Sequence, residues 1–348
     1  MVRIAIIGTG SMAQTHAEHF QKIRGCKVVA CSDVVHGRAA EFAAKNGIPA
    51  SYEDTADMLD HESLECVSIV TPDHTHYDAV MQAVERGLHV MCEKPLADNL
   101  EDAYRMETAA REKGVITAVN FSYRNSPATQ KAAKLVASGK IGRVTHVEGS
   151  YLQSWLTSKI WGDWRTTDAW LWRLSTRHGS MGCLGDIGVH LYDLASFITG
   201  DITSISCKLA TLDKGCESIG EYVFDANDSF VSMVQFANGA IGTLHSSRWA
   251  SGHMNTVALR VYGDSGAIDL NLDREGNELR VCIGKKALDT ATWKTIPCPK
   301  VPNMYHRFIT AVRTGKQGQT SFAGAAKVQS YLKHSIRSSH EGGFVSVT

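Results

Sequence analysis

This sequence lacks the features that mark most non-enzymatic classes. Its 36 Lys plus Arg are matched by 36 Asp plus Glu, so no broad field of one sign draws the chain to nucleic acid or to an acidic membrane. No run reaches the roughly 20 apolar residues that span a bilayer. The nine cysteines, at 26, 31, 66, 92, 183, 207, 216, 282 and 298, include no C-x-x-C pair, which removes the common zinc and dithiol motifs. Their odd number and scatter fit buried thiols in a reducing compartment, and a cytoplasmic location is expected. Met1 runs straight into the strand-like Val2 to Ile7, without the basic segment, apolar stretch and cleavage site of a secretory leader. Internal repeats, low-complexity tracts and Pro-rich linkers are also missing. These exclusions leave a globular chain whose partner is a small molecule.

What is present reads as two domains. At 348 residues, with 43% apolar and 21% charged side chains, the chain exceeds the usual span of one core. Residues 1–121 alternate short apolar runs (VRIAII, CKVVACSD, CVSIVTP, HVMCEKP, VITAVNF) with stretches of helical period at Ser11 to Ile23, Gly37 to Asn46, Thr75 to Arg86 and Asn99 to Lys113. That rhythm predicts βαβ units and a parallel sheet. Gly47, Gly87 and Gly114 stand where helices stop. From residue 122 the rhythm changes to long strand-like runs at Arg143 to Trp155 and Phe230 to Arg248, the second broken by the hairpin turn Asn238-Gly239. Helical patterns at Pro127 to Ser138, Gly185 to Phe197, Met304 to Thr314 and Gly324 to Ser339 accompany them. Residues 122–348 are therefore expected to form an α+β domain with a large, mostly antiparallel sheet, and helices covering one face.

The first chemical motif is Gly8-Thr9-Gly10-Ser11-Met12-Ala13, a G-x-G-x-x-A between a strand and a helix. Gly8 allows a tight turn, Gly10 lets a pyrophosphate approach backbone N–H groups, and Ala13 lets helix and strand pack closely. Asp33 ends the second strand 20 residues after Ala13, where its carboxylate can accept hydrogen bonds from a ribose 2′-hydroxyl and repel a 2′-phosphate. NAD is thus expected ahead of NADP, although Arg38 stands close enough in sequence to reach a phosphate.

Two more motifs follow: Glu93-Lys94-Pro95 at the end of a strand, and Gly185-Asp186-Ile187-Gly188-Val189-His190 opening a helix. With GTGSMA, they make the chain resemble the glucose-fructose oxidoreductase, inositol dehydrogenase and rhizopine-catabolism (Gfo/Idh/MocA) family over nearly its whole length. The resemblance implies an NAD-dependent dehydrogenase of a sugar, sugar derivative or inositol, with Lys94, Asp186 and His190 as the catalytic group. It also implies that Thr71 and Pro72, in Thr71-Pro72-Asp73-His74-Thr75-His76, line the nicotinamide side, and that Glu93 and Lys94 are among the cofactor-binding residues. Tyr123, Arg124, Gln153 and Arg173 become substrate contacts, and assembly into a homodimer or homotetramer is expected.

The chemistry suits those residues. Oxidising a secondary alcohol removes a proton from oxygen as hydride leaves carbon, and imidazole titrates in the right range to take that proton. Asp186 and His190, spaced i, i+4, share one helical face, where the carboxylate can orient the imidazole. An ammonium at Lys94 can stabilise the developing alkoxide. Asp193, one further turn along, reads as structural. His74 and His76 have no third ligand at a recognisable spacing and read as solvated loop histidines, so no metal is expected.

Five of the seven tryptophans, at 155, 161, 164, 170 and 172, are interleaved with Arg165, Arg173, Arg177 and His178. They fit either a sugar pocket or an interface, and the arginines admit an anionic sugar. Two other activities stay open on the same residues: a glycosidase that recycles NAD through transient oxidation and elimination, and a non-catalytic dinucleotide-binding regulator.

Overall fold

The computed structural model describes residues 1–273 and 278–347. The chain divides into two compact units, Met1–Phe121 with Pro302–Gln329, and Ser122–Val301 with Ser330–Thr348.

The first unit is built on six parallel strands: β1 (Val2–Ile7), β2 (Cys26–Ser32), β3 (Ala50–Tyr52), β4 (Cys66–Ile69), β5 (His89–Cys92) and β6 (Thr117–Val119). Their order in the sheet is β3-β2-β1-β4-β5-β6. The chain therefore runs outward from β1 in one direction and from β4 in the other, and the crevice at that reversal is where open α/β sheets bind ligands. β4 is buried along its whole length, as expected for a strand covered on both faces. The connecting helices are α1 (Ser11–Gln21), α2 (Arg38–Asn46), α3 (Thr55–His61), α4 (His76–Glu85) and α5 (Leu100–Glu112). Asp54 and Asn99 cap α3 and α5 by accepting from backbone N–H groups of the first turn. β3 and α3 are too short to give a periodic signal, and the sequence pattern did not predict them.

The second unit contains α6 (Pro127–Ala137), β7 (Val144–Leu152), α7 (Asp168–Leu171), α8 (Val189–Thr199), β8 (Ile202–Ala210) and the small pair β9 (Ser218–Ile219) and β10 (Tyr222–Val223). Next come β11 (Ser229–Phe236), β12 (Ile241–Ser247), β13 (Thr256–Gly263), β14 (Gly266–Asn271), β15 (Glu278–Ile283), α9 (Lys285–Asp289) and β16 (Lys294–Thr295). Two helices, α10 (Met304–Thr314) and α11 (Phe322–Glu341), precede β17 (Val345–Ser346). Nine strands form one sheet in the order β16-β15-β14-β13-β7-β12-β11-β8-β17. Every neighbouring pair is antiparallel except β7 with β12. The Asn238-Gly239 turn joins β11 to β12, with Gly239 at φ +86°. The Tyr192 hydroxyl of α8 lies 2.7 Å from Ser232 Oγ on β11 and 2.6 Å from Ser335 Oγ on α11, tying both helices to the sheet.

Residues 302–329 depart from the expectation that 122–348 form one domain. Met304, Tyr305, Phe308, Ile309 and Ala311 of α10 join a core with Ile4, Phe20 and Val28 of the first unit. The segment that follows closes the outer edge of β6: Val119 N–H donates to the Thr320 carbonyl at 2.8 Å, and the Gln317 side-chain amide bonds both backbone groups of Thr117. An uncovered strand edge presents unpaired donors and acceptors, and this returning segment satisfies them. Only the later part of α11 serves the large sheet, where Ser338 Oγ and Ser339 Oγ accept from the N–H groups of Cys207 and Leu209 on β8. Among the described residues, no helix is long and apolar enough to cross a membrane.

Candidate active site

In the first unit, the turn between β1 and α1 has the shape of a phosphate cradle. Gly8 sits at φ +87°, and a Cβ there would come within 2.9 Å of Thr71 Cγ2 and of the Val70 carbonyl group. Gly10 faces open space with no atom within 4 Å of an added Cβ. It also caps α1 without any side-chain hydrogen bond, which leaves the first-turn N–H groups without a capping side chain from that position. Ser11 and Met12 are exposed on that turn, whereas Ala13 is fully buried against the sheet. Thr71, following β4, has a buried hydroxyl with no hydrogen-bond partner among the described residues. Open backbone donors, a bare glycine and an orphan hydroxyl fit a dinucleotide.

Asp33 terminates β2 beside this turn. Its Oδ2 accepts from Thr9 N–H and Thr9 Oγ1, both at 2.8 Å. Its Oδ1 accepts from Val35 N–H at 3.0 Å and from the Arg38 guanidinium at 2.6 Å. Burial alone would raise this carboxyl's pKa, but the bonds from Arg38, Val35 and Thr9 together hold it below the usual range. Arg38, the cation close enough in sequence to reach a phosphate, is engaged by Asp33.

Glu93 and Lys94 follow β5 directly. The Glu93 side chain turns into the unit: Oε1 lies 2.8 Å from His16 Nε2 and accepts from Asn120 Nδ2 at 2.6 Å. His16 Nδ1 is 2.8 Å from Ser68 Oγ. Lys94 is half-buried, and its backbone N–H lies 3.2 Å from Glu93 Oε2. His76 is fully buried at the start of α4, with its ring nitrogens 3.0 Å from the carbonyls of Pro95 and Thr71. The reading of His76 as a solvated loop residue is therefore corrected, while His74 is exposed. Among the described residues, no group of three or more His, Cys, Asp or Glu side chains could hold a metal ion.

The second unit carries its own polar cluster. Leu184–Gly188 forms a π-helical turn leading into α8, with Asp186 in the turn and His190 on the helix. π-turns recur at functional sites because they displace side chains from their α-helical positions. Arg248, fully buried, donates from one guanidinium nitrogen to Asp186 Oδ2 at 3.0 Å and from the other to the Arg173 carbonyl at 2.9 Å. The Arg173 guanidinium stands 3.8 Å from the same Asp186 oxygen, 4.6 Å above the Trp172 ring, and also donates to the Ala169 carbonyl.

His190 is buried with its ring edge-to-face on Tyr123 at 5.0 Å and tilted against Tyr151 at 6.2 Å. The two phenol oxygens are 2.8 Å apart. Tyr151 also donates to Asn255 Oδ1 at 2.8 Å, and Asn255 Nδ2 donates to the Tyr123 oxygen at 2.9 Å. Gln153 joins through Nε2, 2.8 Å from the same Asn255 oxygen, while its Oε1 accepts from Trp155 Nε1. Burial pushes the Tyr151 phenol well above its ordinary range, and the Tyr123 hydroxyl and the Asp186 charge reinforce that shift. The phenol stays protonated, able to donate. His190, Tyr123 and Gln153 thus meet around Tyr151 and Asn255, two residues that the sequence reading missed.

Arg124 does something else. Its guanidinium forms a two-pronged, buried pair with Asp193 and lies 4.6 Å from the Phe197 ring, fixing the segment that carries Tyr123 against α8. The tryptophans also differ from expectation. Trp155 and Trp164 are buried in a satellite core with Leu156, Leu171, Leu174 and Phe224, and Trp161 and Trp170 stack with centroids 5.7 Å apart. They pack chiefly on one another, and Trp172 remains half-buried beneath Arg173.

Two family models match the chain: the oxidoreductase family with NAD-binding Rossmann fold over residues 2–121, and the GFO/IDH/MocA C-terminal domain over residues 129–269. Levoglucosan dehydrogenase of Pseudarthrobacter phenanthrenivorans is 29% identical over 326 residues, covering 83% of this chain and 82% of its own. The NAD-dependent scyllo-inositol 2-dehydrogenase of Bacillus subtilis is 30% identical over 270 residues, covering 77% and 73%. A solved complex of levoglucosan dehydrogenase with NADH and levoglucosan superposes with a TM-score of 0.89 at 27% identity, covering 99% of both chains.

Proposed function

The chain belongs to the GFO/IDH/MocA oxidoreductase family, whose first domain is an NAD-binding Rossmann fold, and from that premise we propose that it oxidises one secondary hydroxyl of a neutral sugar or cyclitol. The product is a ketone or lactone. The observation that carries the choice of a neutral substrate is the clamp on Asp186. Arg248 is sealed from solvent on that carboxylate, and Arg173 leans on the same oxygen and on a backbone carbonyl. A phosphate, carboxylate or sulfonate would have to compete with Asp186 for both cations.

NAD, when bound, supplies the hydride acceptor at nicotinamide C4. The turn of Gly8, Gly10, Ser11 and Met12 would hold its pyrophosphate, Asp33 would accept from the adenosine ribose, and Thr71 and Pro72 would line the nicotinamide side. His190 has its Nδ1 buried, so Nε2 takes the hydroxyl proton as the carbon loses its hydride. Asp186, clamped by two guanidinium neighbours, supplies the counter-charge to the imidazolium that forms. Lys94 donates an N–H to the hydroxyl oxygen and lowers the energy of the developing alkoxide. Tyr123 and Gln153 receive the neighbouring hydroxyls, Arg173 bounds the site beside Asp186, and Arg124 acts through the placement of Tyr123.

Nine free cysteines support a reducing, cytoplasmic setting. The outward apolar side chains Val231, Met233 and Ile241 on β11 and β12 support assembly as a homodimer or homotetramer.

The test follows reduced-cofactor absorbance with NAD and NADP in parallel, over a panel of cyclitols, anhydrosugars, glycosides and sugar phosphates. Turnover is expected with NAD on neutral members. Replacing His190 by Ala should lower kcat by roughly 10²- to 10⁴-fold while NADH still binds. Turnover confined to sugar phosphates, or an unaffected His190→Ala enzyme, would refute the assignment.

A further inference from the structure

Two fully buried imidazoles lie on either side of Lys94 in the chain's own bonding pattern. His16, from α1, has Nε2 2.8 Å from Oε1 of Glu93, the residue before Lys94. His76, from α4, has Nδ1 3.0 Å from the carbonyl of Pro95, the residue after it. Neither ring is idle at its other nitrogen. His16 Nδ1 is anchored at 2.8 Å on Ser68 Oγ of β4, and His76 Nε2 stands 3.0 Å from the Thr71 carbonyl. Both partners of His76 accept, so the neutral ring donates to one of the two carbonyls and the protonated ring to both. Thr71 is the residue whose methyl group lies against Gly8 of the nucleotide turn. Both flanks of Lys94 are thereby tied to β4 and its end, next to the strand that feeds the cradle.

A buried imidazole is a demanding filler. An apolar side chain would occupy the same volume without needing partners, and each unmet donor or acceptor costs about 1–3 kcal/mol. Lysine is a flexible stem with about 2 kcal/mol of rotamer entropy, and a shift of the backbone beneath it carries the ammonium along. A misplacement of about 1 Å costs up to about 10²-fold in rate.

We propose that His16 and His76 are positioning residues that lock the Glu93-Lys94-Pro95 turn from both sides and register the Lys94 ammonium against the nucleotide turn. The proposal rests on the assignment of Lys94 to the reaction. Its geometry also dictates which half of each ring matters. Glutamine imitates the Nε2 end of histidine and asparagine the Nδ1 end. His16→Gln keeps the tie to Glu93, and His16→Asn keeps only Ser68. Conversely, His76→Asn keeps the tie to Pro95, and His76→Gln keeps only Thr71.

Two measurements on the NADH-saturated protein test this. Mass spectrometry reads the rate at which an acylating reagent labels Lys94, with the exposed Lys27 as internal standard. Steady-state kinetics on the substrate found above reads kcat with and without Lys94→Ala. His16→Asn and His76→Gln should raise Lys94 labelling at least threefold and lower kcat by about tenfold or more, with NADH affinity within about threefold. Their partners His16→Gln and His76→Asn should retain most of the wild-type value. In the Lys94→Ala background, the histidine substitutions should cost no further kcat.

Unchanged Lys94 labelling in folded variants overturns the proposal, as does an equal kcat loss whether or not Lys94 is present. If labelling changes as expected but Lys94→Ala turns over like wild type, the imidazoles hold the turn and it is the catalytic assignment of Lys94 that fails.

Discussion

At Glu93, burial alone would raise the carboxyl's pKa. The hydrogen bond and charge of His16, the Asn120 amide and the Lys94 ammonium instead draw it from an ordinary 4.5 down to about 2. A carboxyl depressed in the folded state contributes stability that is fully present above its unfolded value and is lost as pH falls through its folded value. The window for Glu93 therefore opens near 4.5 and closes near 2. Glu93→Gln should melt well below wild type at neutral pH, and the gap should narrow as pH is lowered through that window, as followed by circular dichroism. A gap of constant size would mean that the charge contributes nothing to folding. Residues of this kind are also the ones the sequence conceals. Gly8, Asp33, Lys94, Asp186 and His190 stand in motifs whose spacing singles them out as candidates. His16 is a lone histidine on the buried stripe of α1, and its partner Glu93 is 77 positions away. Arg248 likewise looks like the end of a strand until the fold brings Asp186, 62 positions distant, to its guanidinium.

Among the elements, the strands and helices of the first unit were legible because a parallel sheet makes apolar runs separated by amphipathic helices. The segment from Trp155 to His178 was harder, since aromatic density has the same signature in a pocket, an interface or a core. The structure resolves the ambiguity residue by residue. Trp164 is 2% exposed, set edge-on to Phe224 at 5.7 Å, with its indole N–H directed at the Leu156 carbonyl. Trp172 is half-buried, with the Arg173 guanidinium resting on its face beside Asp186. Trp164→Ala should therefore cost about 3–5 kcal/mol of stability and leave the KM of the folded enzyme within about twofold. Trp172→Ala should do the reverse, with little change in melting temperature and a raised KM for the sugar. Thermal melts and initial rates on the two variants separate these roles, and a KM effect at Trp164 would return that residue to the binding surface.

For the whole molecule, the informative feature is a chain that leaves its nucleotide unit at Phe121 and returns to it at Pro302. No local pattern announced the return, because α10 has the same amphipathic period whichever sheet it covers; only its partners decide. Phe308 of α10 is 2% exposed and meets Phe20 of α1 with ring centroids 6.5 Å apart, while Tyr305 stands edge-on to His16 at 5.0 Å. A residue far along the sequence thus supports the helix that starts from the Gly8–Gly10 turn. Phe308→Ala should remove about 3–5 kcal/mol from that unit in particular. Hydrogen exchange should quicken in β1, α1 and β4 while β7 and β13 of the large sheet stay protected. Because NADH binds only the folded unit, adding it at about 100 times its Kd should restore about 2.7 kcal/mol and slow exchange in those same strands. Exchange that quickened instead in the large sheet, or that NADH left untouched, would place α10 with the other unit and separate it from the cofactor.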